Sequence, residues 1–506
     1  MLCDDGSLYN DAHSTWNGIT VFAAMGLCEA LTHHGQLLDE GTRARWEAQL
    51  SGMGEWLYHN LTMELKTNVN YHASNAGAMA MLGAYFGRAD YLARAKELAH
   101  ACLPLISPNG LLTGEGQPAD AVTPRGCSPV DIGYNVEESL PSLLRYARIC
   151  NDKETENIVV DALRAHVALM LPDGAWDNSF GTRNFKWTYW GSRTSDGCQG
   201  ALAMLKDDPV FYEAARRNAS LYAACTHDGL LHGGPHYRAH GEKPCIHHML
   251  CHAKVLATAL DEGYADRPSV ALPSDTPHGI RHYPEIDTWR VGVGPWRADV
   301  TAYDFPYMPG GHASGGTLTL LWHEAIGPVI AVGMTDYSLK EPHNMQLSLN
   351  KAAHRSVAPR LEMMKGGKRF ASMYDTEVTL SARMDGEAAV VEVCGTLKDM
   401  AGNAMEPGVS FDLAYRFASD QVTISGRVSN PEAAFVLPVI ALASAPYQCA
   451  DGQFELETGE HTLRVAADGL QPKPDAIFNL CPGFEARGLI IHPDADGAFA
   501  VCISVG

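Results

Sequence analysis

One unit recurs five times in the first half of the chain, and it limits the possible folds more than any other feature. In each copy, a loop of polar and aromatic residues leads into a helix-forming run of small and apolar residues. The polar landmarks of the copies stand 59, 63, 54 and 58 positions apart, and they are His13, His72, Asn135, Tyr189 and His247. This period fits two helices with their loops.

Amphipathic helical patterns separate these units. The run over 42–60 places its apolar side chains near helical spacing with charged residues outside, and the runs over 88–103 and 154–170 behave similarly. The units rich in Ala, Gly and Met are expected to be buried on more than one side. The alternation predicts an (α/α) toroid over residues 1–265, an incomplete barrel of helix hairpins in which outer helices surround inner ones. The inner N-termini would gather at one mouth, where helix dipoles favour anions.

A linker containing Pro and Asp, over 266–282, ends the helical pattern. Residues 283–506 then contain strand-like runs with turn residues at short spacing, and Asp385-Gly386 is a hairpin signal between two of them. We expect an antiparallel β-sandwich domain here. A small separate sheet from about residue 431 is an open alternative within that domain.

Charge and cysteine usage exclude several classes of protein. The net charge of −21 argues against a general nucleic-acid binder or a binder of anionic membranes, although a local basic cleft could still bind a polyanion. The 13 Cys form no CxxC pair, which is typical of reduced thiols. Neither a signal peptide nor an apolar run of about 18 residues is visible. We expect a cytoplasmic protein, or a secreted or periplasmic one whose leader has been removed.

The segment 173–199 combines aromatic and basic side chains with four glycines. Its aromatic and basic residues are Trp176, Phe180, Arg183, Phe185, Lys186, Trp187, Tyr189, Trp190 and Arg193. Aromatic faces stack on sugar rings, and Arg or Lys binds a carboxylate or a sulfate. The pattern is typical of a groove for an acidic sugar, with Trp176, Arg183, Lys186 and Trp190 as candidate substrate contacts.

Three short motifs, in order and at suitable separations, carry a resemblance to a known family. Asn135, in GYNVEESLP, stands 54 positions before Tyr189, in WTYWGSR, and His312 follows in GGHASGGTLTLLWHEAIGP. With the order of toroid and sandwich, these motifs resemble the polysaccharide lyases of the heparinase II/III and alginate-lyase type. The broad-specificity glycosaminoglycan lyases are the branch most similar in appearance. Glu138 and Arg193 stand where some of these lyases carry a Glu after the Asn and an Arg after the Tyr.

The resemblance implies β-elimination in a uronic-acid polysaccharide, with no required cofactor. Asn135, supported by Glu138, would neutralise the uronate carboxylate. Tyr189 would remove H5 and then protonate the leaving oxygen, with Arg193 favouring its phenolate. His312 would supply the second group that iduronate needs, because H5 and the leaving oxygen lie on opposite faces there. The implied substrates are hyaluronan, chondroitin or dermatan sulfate, and heparin or heparan sulfate.

Other polar residues at equivalent points of the repeat are further candidate substrate contacts. The candidates before the third unit are Asn17, Tyr71, His72 and Asn75, and the His-rich stretch 230–248 adds His236, Tyr237, Arg238 and His247. The spacings in that stretch match no familiar zinc motif, so we favour sugar contact over a zinc site.

A divalent cation in the β domain is an open alternative. Ser314 stands where the family often has Asp, and no matching His follows it. Asp336 and His343 are candidate ligands of a divalent cation, and roles in a loop suit them equally.

The residues leave other interpretations open. Asn135 and Glu138 also fit a helix capping box, and Tyr189 also fits a core aromatic. Alginate or another polyuronate is an alternative lyase substrate, and a uronyl C5 epimerase would share the first proton transfer. A toroid hydrolase acting on uronides would need two carboxylates, with candidates Glu137, Glu138, Asp173, Asp177 and Asp196. A carbohydrate-binding protein would use the aromatic groove alone, and the oligomeric state is open.

Overall fold

The computed structural model places a helical domain before a β-rich domain, which is the expected fold class. It describes residues 2–10, 15–177, 179–192, 197–244, 246–264, 266–308, 310–337, 339, 345–347 and 356–506, without the side chains of His247 and His248. The α-helices of these residues are α1 Thr20–His34, α2 Glu40–Asn60, α3 Val69–Phe86, α4 Ala89–Cys102, α5 Ile132–Tyr134, α6 Leu140–Ile149, α7 Lys153–Val167, α8 Gln199–Met204, α9 Pro209–Ala224, α10 Tyr237–His240 and α11 Ile246–Asp261.

The helices form an incomplete toroid of inner and outer layers. Along the inner layer, α1 contacts α3, α3 contacts α6, α6 contacts α8, and α8 contacts α11. The outer helices α2, α4, α7 and α9 pack behind them. His34 at the end of α1 lies 3.1 Å from Asp261 at the end of α11, so the last inner helix returns to the first.

The inner helices differ in how deeply they are buried. The small residues of α3 let neighbours approach on several sides, and it is buried along nearly its whole length. By contrast, α11 buries one face through His252, Val255 and Ala259, while Leu260 is 76% exposed. The expectation that all five units are buried on more than one side is therefore wrong for α11. No outer helix in the described residues follows it to cover the other face.

A π-helical turn over Asn135–Ser139 joins α5 to α6. All five of its residues are buried, including Glu137 and Glu138. Asp131 caps the start of α5 by accepting a hydrogen bond from the backbone N–H of Tyr134 at 3.1 Å. Single π turns inside helices are frequent at functional sites, so the residues around this segment are candidates for a functional site.

The strands pair antiparallel throughout. In the described residues they are β1 Trp187–Thr188, β2 Gly191–Ser192, β3 Thr226–His227, β4 Leu230–Leu231, β5 Gly279–Tyr283, β6 Thr288–Val293, β7 Trp296–Thr301, β8 Thr317–His323, β9 Gly327–Ala331, β10 Arg360–Lys365, β11 Lys368–Ala371, β12 Thr379–Asp385, β13 Ala388–Thr396, β14 Ser410–Phe417, β15 Gln421–Val428, β16 Ala434–Ile440, β17 Tyr447–Ala450, β18 Gln453–Thr458, β19 His461–Ala466, β20 Gln471–Asn479, β21 Phe484–Ile491 and β22 Ala498–Val505. The predicted hairpin at Asp385-Gly386 is confirmed, because it joins β12 to β13 and Gly386 has φ of +64°.

Three sheets of the described residues build the sandwich. Their strand orders are β5-β6-β7-β8-β9, β11-β10-β16-β21-β20 and β12-β13-β14-β15-β22-β19-β18-β17. Apolar residues from all three share one core. The strands after residue 431 pair with earlier strands in the second and third sheets, so the alternative of a separate small sheet there is wrong.

The two domains are joined by hydrogen bonds that fix the loops of the helical domain. The Tyr189 backbone N–H donates to Pro482 O at 3.0 Å, and the Tyr237 hydroxyl donates to Leu480 O at 2.9 Å. In the part of the chain that the structure describes, no helix has both the length and the apolar character needed to cross a bilayer.

Candidate active site

Two cations converge on one phenol in the helical domain. The Lys186 Nζ donates to the Tyr134 hydroxyl oxygen at 3.2 Å, and the Arg183 guanidinium carbon lies 4.4 Å from the centre of the same ring. All three side chains are 5% exposed. A cation at this distance stabilises negative charge on an oxygen, so Lys186 is placed to support a Tyr134 phenolate during proton transfer.

Local geometry holds this arrangement in place. The Asp131 carboxylate caps α5 and also accepts the Arg183 backbone N–H at 2.7 Å, which ties the loop carrying Arg183 to the helix carrying Tyr134. Burial raises the pKa of Asp131 to about 6. Gly133 allows the Trp187 ring to lie against the helix, since a Cβ at Gly133 would lie 1.5 Å from that ring.

A buried carboxylate faces the second cation. Glu115 Oε2 lies 3.4 Å from Arg183 Nη2, and Glu115 is fully buried. Burial raises the pKa of Glu115 to about 7, against the opposing effect of Arg183. Near neutral pH the carboxyl is therefore only partly ionised, and the Arg183 charge is only partly compensated. Arg183 can accordingly pair with a carboxylate of a ligand.

Asn70 links two acidic residues of this region. Its backbone N–H donates to Glu115 Oε1 at 2.9 Å, and its side-chain amide donates to Glu138 Oε2 at 2.8 Å. Glu138 therefore lies near the site, as the sequence predicts, where it accepts a hydrogen bond from an amide of the protein.

Two partly exposed tyrosines border the buried residues. The Tyr71 hydroxyl accepts a hydrogen bond from Trp16 Nε1 at 2.8 Å, and burial raises the pKa of Tyr71 to about 12. The Tyr307 ring centre lies 5.9 Å from the Arg183 guanidinium, and it stacks on Phe185. We call the whole set the central cluster, and its members are Asn70, Tyr71, Glu115, Tyr134, Glu138, Arg183, Lys186 and Tyr307.

Tyr189, the expected base, lies outside the central cluster. Its hydroxyl donates to Asp173 Oδ2 at 2.7 Å, and its ring packs edge-to-face on Phe484. Burial and the Asp173 carboxylate raise the pKa of Tyr189 well above its ordinary value. The expected cationic neighbour, Arg193, lies outside the described residues. The structure places the Asp173 carboxylate beside this phenol, and a carboxylate opposes a phenolate.

Asn135 uses its amide inside the protein. The amide nitrogen donates to Leu112 O at 2.8 Å and to His166 Nε2 at 3.1 Å, and the residue is fully buried. Burial lowers the pKa of His166 to about 4, so its neutral ring accepts from Asn135 and donates from Nδ1 to Ala162 O. In this arrangement both amide hydrogens of Asn135 are used inside the protein, and its role toward a substrate carboxylate stays a prediction.

His312 lines a cleft of about 380 Å³ in the β domain. Its Nε2 lies 2.9 Å from Phe305 O and its Nδ1 lies 3.2 Å from Ala313 O. Burial lowers the pKa of His312, and a neutral imidazole has one N–H to donate. The ring can therefore donate to only one of these two carbonyl oxygens, and the role of His312 in proton transfer stays a prediction.

Most of the other predicted substrate contacts are used in packing between elements. Buried or internally bonded side chains among them are His72 with Thr62 O, Asn75 with Leu61 O, Trp190 with His232 O, Tyr237 with Leu480 O, His236 with the Glu485 backbone N–H, and Trp176 in the helical core. Asn17 donates to Ser7 Oγ, Arg238 lies exposed 3.6 Å from Asp228, and the His247 side chain is outside the described residues. The central cluster keeps Tyr71, Arg183 and Lys186 from the predicted set.

The candidate cation ligand Asp336 is engaged by another partner. Its carboxylate pairs with Arg369 and accepts the Tyr374 hydroxyl, while His343 lies outside the described residues. Among the residues described, no group of three or more His, Cys, Asp or Glu side chains converges as a metal-ligand set. The Asp336 carboxylate is thus not free for a cation in this arrangement.

Comparison with known proteins identifies the family of the chain. The family model for the ulvan lyase N-terminal domain matches residues 1–274, and the model for the ulvan lyase C-terminal domain matches residues 280–506. The chain belongs to the ulvan lyase family. A relative, the broad-specificity ulvan lyase of Formosa agariphila, is 36% identical over 505 residues, which cover 93% of this chain and 76% of the relative.

Solved structures agree with this ulvan lyase family assignment at the level of the fold. A crystal structure of heparinase III superposes with a TM-score of 0.56 at 9% identity, covering 97% of this chain and 70% of that chain. A second heparinase III structure gives a TM-score of 0.51 at 12% identity, covering 92% of this chain and 63% of that one. The expected likeness to heparinase-type polysaccharide lyases is confirmed. The protein is a polysaccharide lyase, and its substrate is an acidic polysaccharide.

Sequence reasoning missed Asn70, Glu115, Tyr134 and Tyr307. Tyr134 stands directly before Asn135, and Asn70 stands directly before Tyr71, so both lay within the motifs that drew attention. The available signal was their position at the N-terminal ends of inner helices. Glu115 lies in a loop between helices, where its sequence neighbours carry no such signal.

Proposed function

We propose that this polysaccharide lyase cleaves ulvan by β-elimination, with the central cluster as its active site. The proposal of ulvan rests on the named activity of the Formosa agariphila relative. The observation that carries the site is the convergence of Lys186 and Arg183 on Tyr134. Glycosaminoglycans and alginate, which the sequence alone predicts, are the alternative substrates.

Arg183 would bind the carboxylate of the uronate. The negative charge of that carboxylate otherwise makes H5 very weakly acidic. The charge of Arg183 is partly compensated by Glu115. The guanidinium can also donate a pair of hydrogen bonds to the carboxylate of a substrate. Charge withdrawn from the carboxylate stabilises the carbanion-like transition state that forms at C5.

Tyr134 would act as both base and acid. As a phenolate supported by Lys186, it takes H5, and the C5–H electron pair forms the C4–C5 double bond while the C4–O bond breaks. The leaving oxygen takes the proton back from the Tyr134 hydroxyl, which restores the phenolate. The balanced products are an unsaturated uronate end and a free hydroxyl on the departing sugar.

Glu138 and Asn70 would set the position of these groups. Asn70 donates hydrogen bonds to both Glu138 and Glu115, and Glu115 forms an ion pair with Arg183. This chain of contacts places the guanidinium relative to the Tyr134 ring. Because Arg183 would bind the carboxylate and also stabilise the transition state, a residue that positions Arg183 would affect both KM and kcat.

A matched pair of variants tests the assignment of the base. Wild type, Tyr134→Phe and Tyr189→Phe are incubated with ulvan, and the ultraviolet absorbance of the C4–C5 unsaturated uronate is followed. We expect Tyr134→Phe to lose about 10²- to 10⁴-fold in kcat, the usual contribution of general acid–base catalysis. Tyr189→Phe should keep kcat within about ten-fold, since it loses one hydrogen bond to Asp173 worth about 1 kcal/mol.

The opposite result would assign the catalytic base to a different residue. If Tyr189→Phe abolishes the absorbance and Tyr134→Phe does not, the base is Tyr189 and the central cluster has another role. Hyaluronan, chondroitin sulfate, heparan sulfate and alginate run alongside identify the substrate by the polymer that responds. A flat trace with the wild type on every polymer would refute the proposed substrate class.

A further inference from the structure

The cleft that His312 lines lies next to the central cluster. It measures about 380 Å³, and its lining includes Asp304, Tyr307, His312, Ser314, Thr335 and Tyr374. Tyr307 belongs to both regions, since its ring also lies 5.9 Å from the Arg183 guanidinium. Asn184, beside Arg183 in the chain, donates to Gly333 O at 2.9 Å and brings the two regions together.

Two buried hydroxyl groups of the cleft have no hydrogen-bond partner in the described structure. Ser314 is 3% exposed and Thr335 is 1% exposed, and the oxygen of each side chain lacks a donor or acceptor within reach. A buried hydroxyl without a partner costs free energy unless a water or a bound molecule satisfies it. Both residues line the same cleft, so one ligand can satisfy both.

The backbones that carry these hydroxyls are held in place. The Ser314 N–H donates to Met373 O at 3.0 Å, and the Ser314 carbonyl accepts the Thr317 hydroxyl at 2.6 Å. The Thr335 N–H donates to Gly311 O at 2.7 Å. Groups fixed in advance lose little entropy when a ligand binds, which favours specific recognition over loose contact.

The charges of the cleft exclude a strongly anionic ligand. Its described lining contains the Asp304 carboxylate, which accepts the Thr123 hydroxyl at 2.6 Å, and it contains no Lys or Arg. The nearby Arg369 is paired with Asp336 and bonded to Tyr374. The central cluster, by contrast, offers two cations. The uronate carboxylate therefore belongs to the central cluster, and uncharged groups belong to the cleft.

We infer that the cleft is a subsite for the uncharged hydroxyl edge of the sugar next to the cleaved uronate, with Ser314 and Thr335 as its specificity-determining residues. The inference rests on the proposed function, because the uronate at Arg183 sets which sugar reaches the cleft. Tyr307 borders both positions.

Steady-state kinetics on ulvan tests this subsite. Ser314→Ala and Thr335→Val should each raise KM about five-fold with kcat within about two-fold, which is the effect of one lost neutral hydrogen bond. The double variant should raise KM about twenty-fold. Thr335→Ser keeps the hydroxyl that Thr335→Val removes, so its KM should be close to that of wild type. Ser274→Ala is the matched control, because Ser274 is similarly buried, at 2% exposed, and has an unpartnered hydroxyl in the described structure but lies outside the cleft.

The outcomes separate this inference from the proposed function. If wild type yields unsaturated product and the double variant has an unchanged KM, the subsite is refuted while β-elimination stands. If the wild type yields no unsaturated product, the proposed function fails first. A third arm uses ulvan after chemical desulfation. A KM increase of the same size on both polymers supports a hydroxyl edge, and an increase that disappears on desulfation would show that the two residues bind sulfate instead.

Discussion

Glu115→Gln is the substitution whose effect the structure defines most closely. Burial raises the pKa of Glu115 from its ordinary value of 4.5 to about 7, with Arg183 as the main opposing influence. The folded protein therefore binds a proton at Glu115 more tightly than the unfolded chain does. Stability from this group is present below the unfolded pKa and is lost as pH rises toward the folded pKa.

The size of the effect follows from the shift. Each pKa unit corresponds to about 1.4 kcal/mol, so the raised pKa of Glu115 makes wild type about 2 to 3 kcal/mol less stable at pH 8 than at pH 5 through this group. Gln cannot ionise and has nearly the same shape. The free energy of unfolding of Glu115→Gln, relative to wild type, should therefore increase by about 2 to 3 kcal/mol between pH 5 and pH 8.

Urea unfolding followed by far-ultraviolet circular dichroism measures this difference at pH 5, 6, 7 and 8. Glu432→Gln is the control for the same chemical change at an exposed position. A constant difference for Glu115→Gln would show that Glu115 ionises as in the unfolded chain. A decrease with pH would show that Arg183 dominates over burial, and either result would refute the reasoning about the Arg183 charge.

Three glycine substitutions test the packing around the central cluster and the cleft, with Gly386→Ala as the comparison. Gly133→Ala should displace Trp187, because the new Cβ would lie 1.5 Å from its ring, and overpacking of this kind costs about 1–3 kcal/mol, measured by the shift in the urea midpoint together with lost lyase activity. Gly315→Ala should unfold the cleft or fail to fold, since φ is +67° and the Cβ would lie 1.9 Å from the carbonyl oxygen of Ser372. Gly386→Ala has a similar φ of +64° with nothing near, so it should cost about 1–2 kcal/mol, and equal losses at the two sites would contradict this account.

Much of the architecture could be read from local pattern. The repeat period predicted the toroid because each helix hairpin must bury its apolar face against the next, and this requirement is written along the chain. The Asp-Gly turn predicted the β12–β13 hairpin for the same reason, since a tight turn is a local event. Such features depend on neighbours within a few residues.

The candidate site could be predicted only in part. Arg183 and Lys186 could be predicted because a segment rich in aromatic and basic residues is typical of a groove for an acidic sugar. The choice between neighbouring residues such as Tyr134 and Asn135 depended on the partners that each side chain meets in the fold, Lys186 for Tyr134 and Leu112 O for Asn135. The charge beside each phenol could not be predicted from the sequence either. Asp173 and Tyr189 are 16 positions apart in the chain, but the Tyr189 hydroxyl lies 2.7 Å from Asp173 Oδ2.

By itself, the sequence determined the order of the two domains, the helical and strand periods, and the presence of an aromatic and basic segment suited to an acidic sugar. Tertiary structure alone decided which tyrosine meets the two cations, which amide hydrogens are consumed in the core, and that Tyr307 joins the central cluster to the cleft of Ser314 and Thr335. The physical reason is that fold class follows from periodic burial along the chain. A site instead follows from burial, charge and hydrogen bonding among groups that the chain brings together from distant positions.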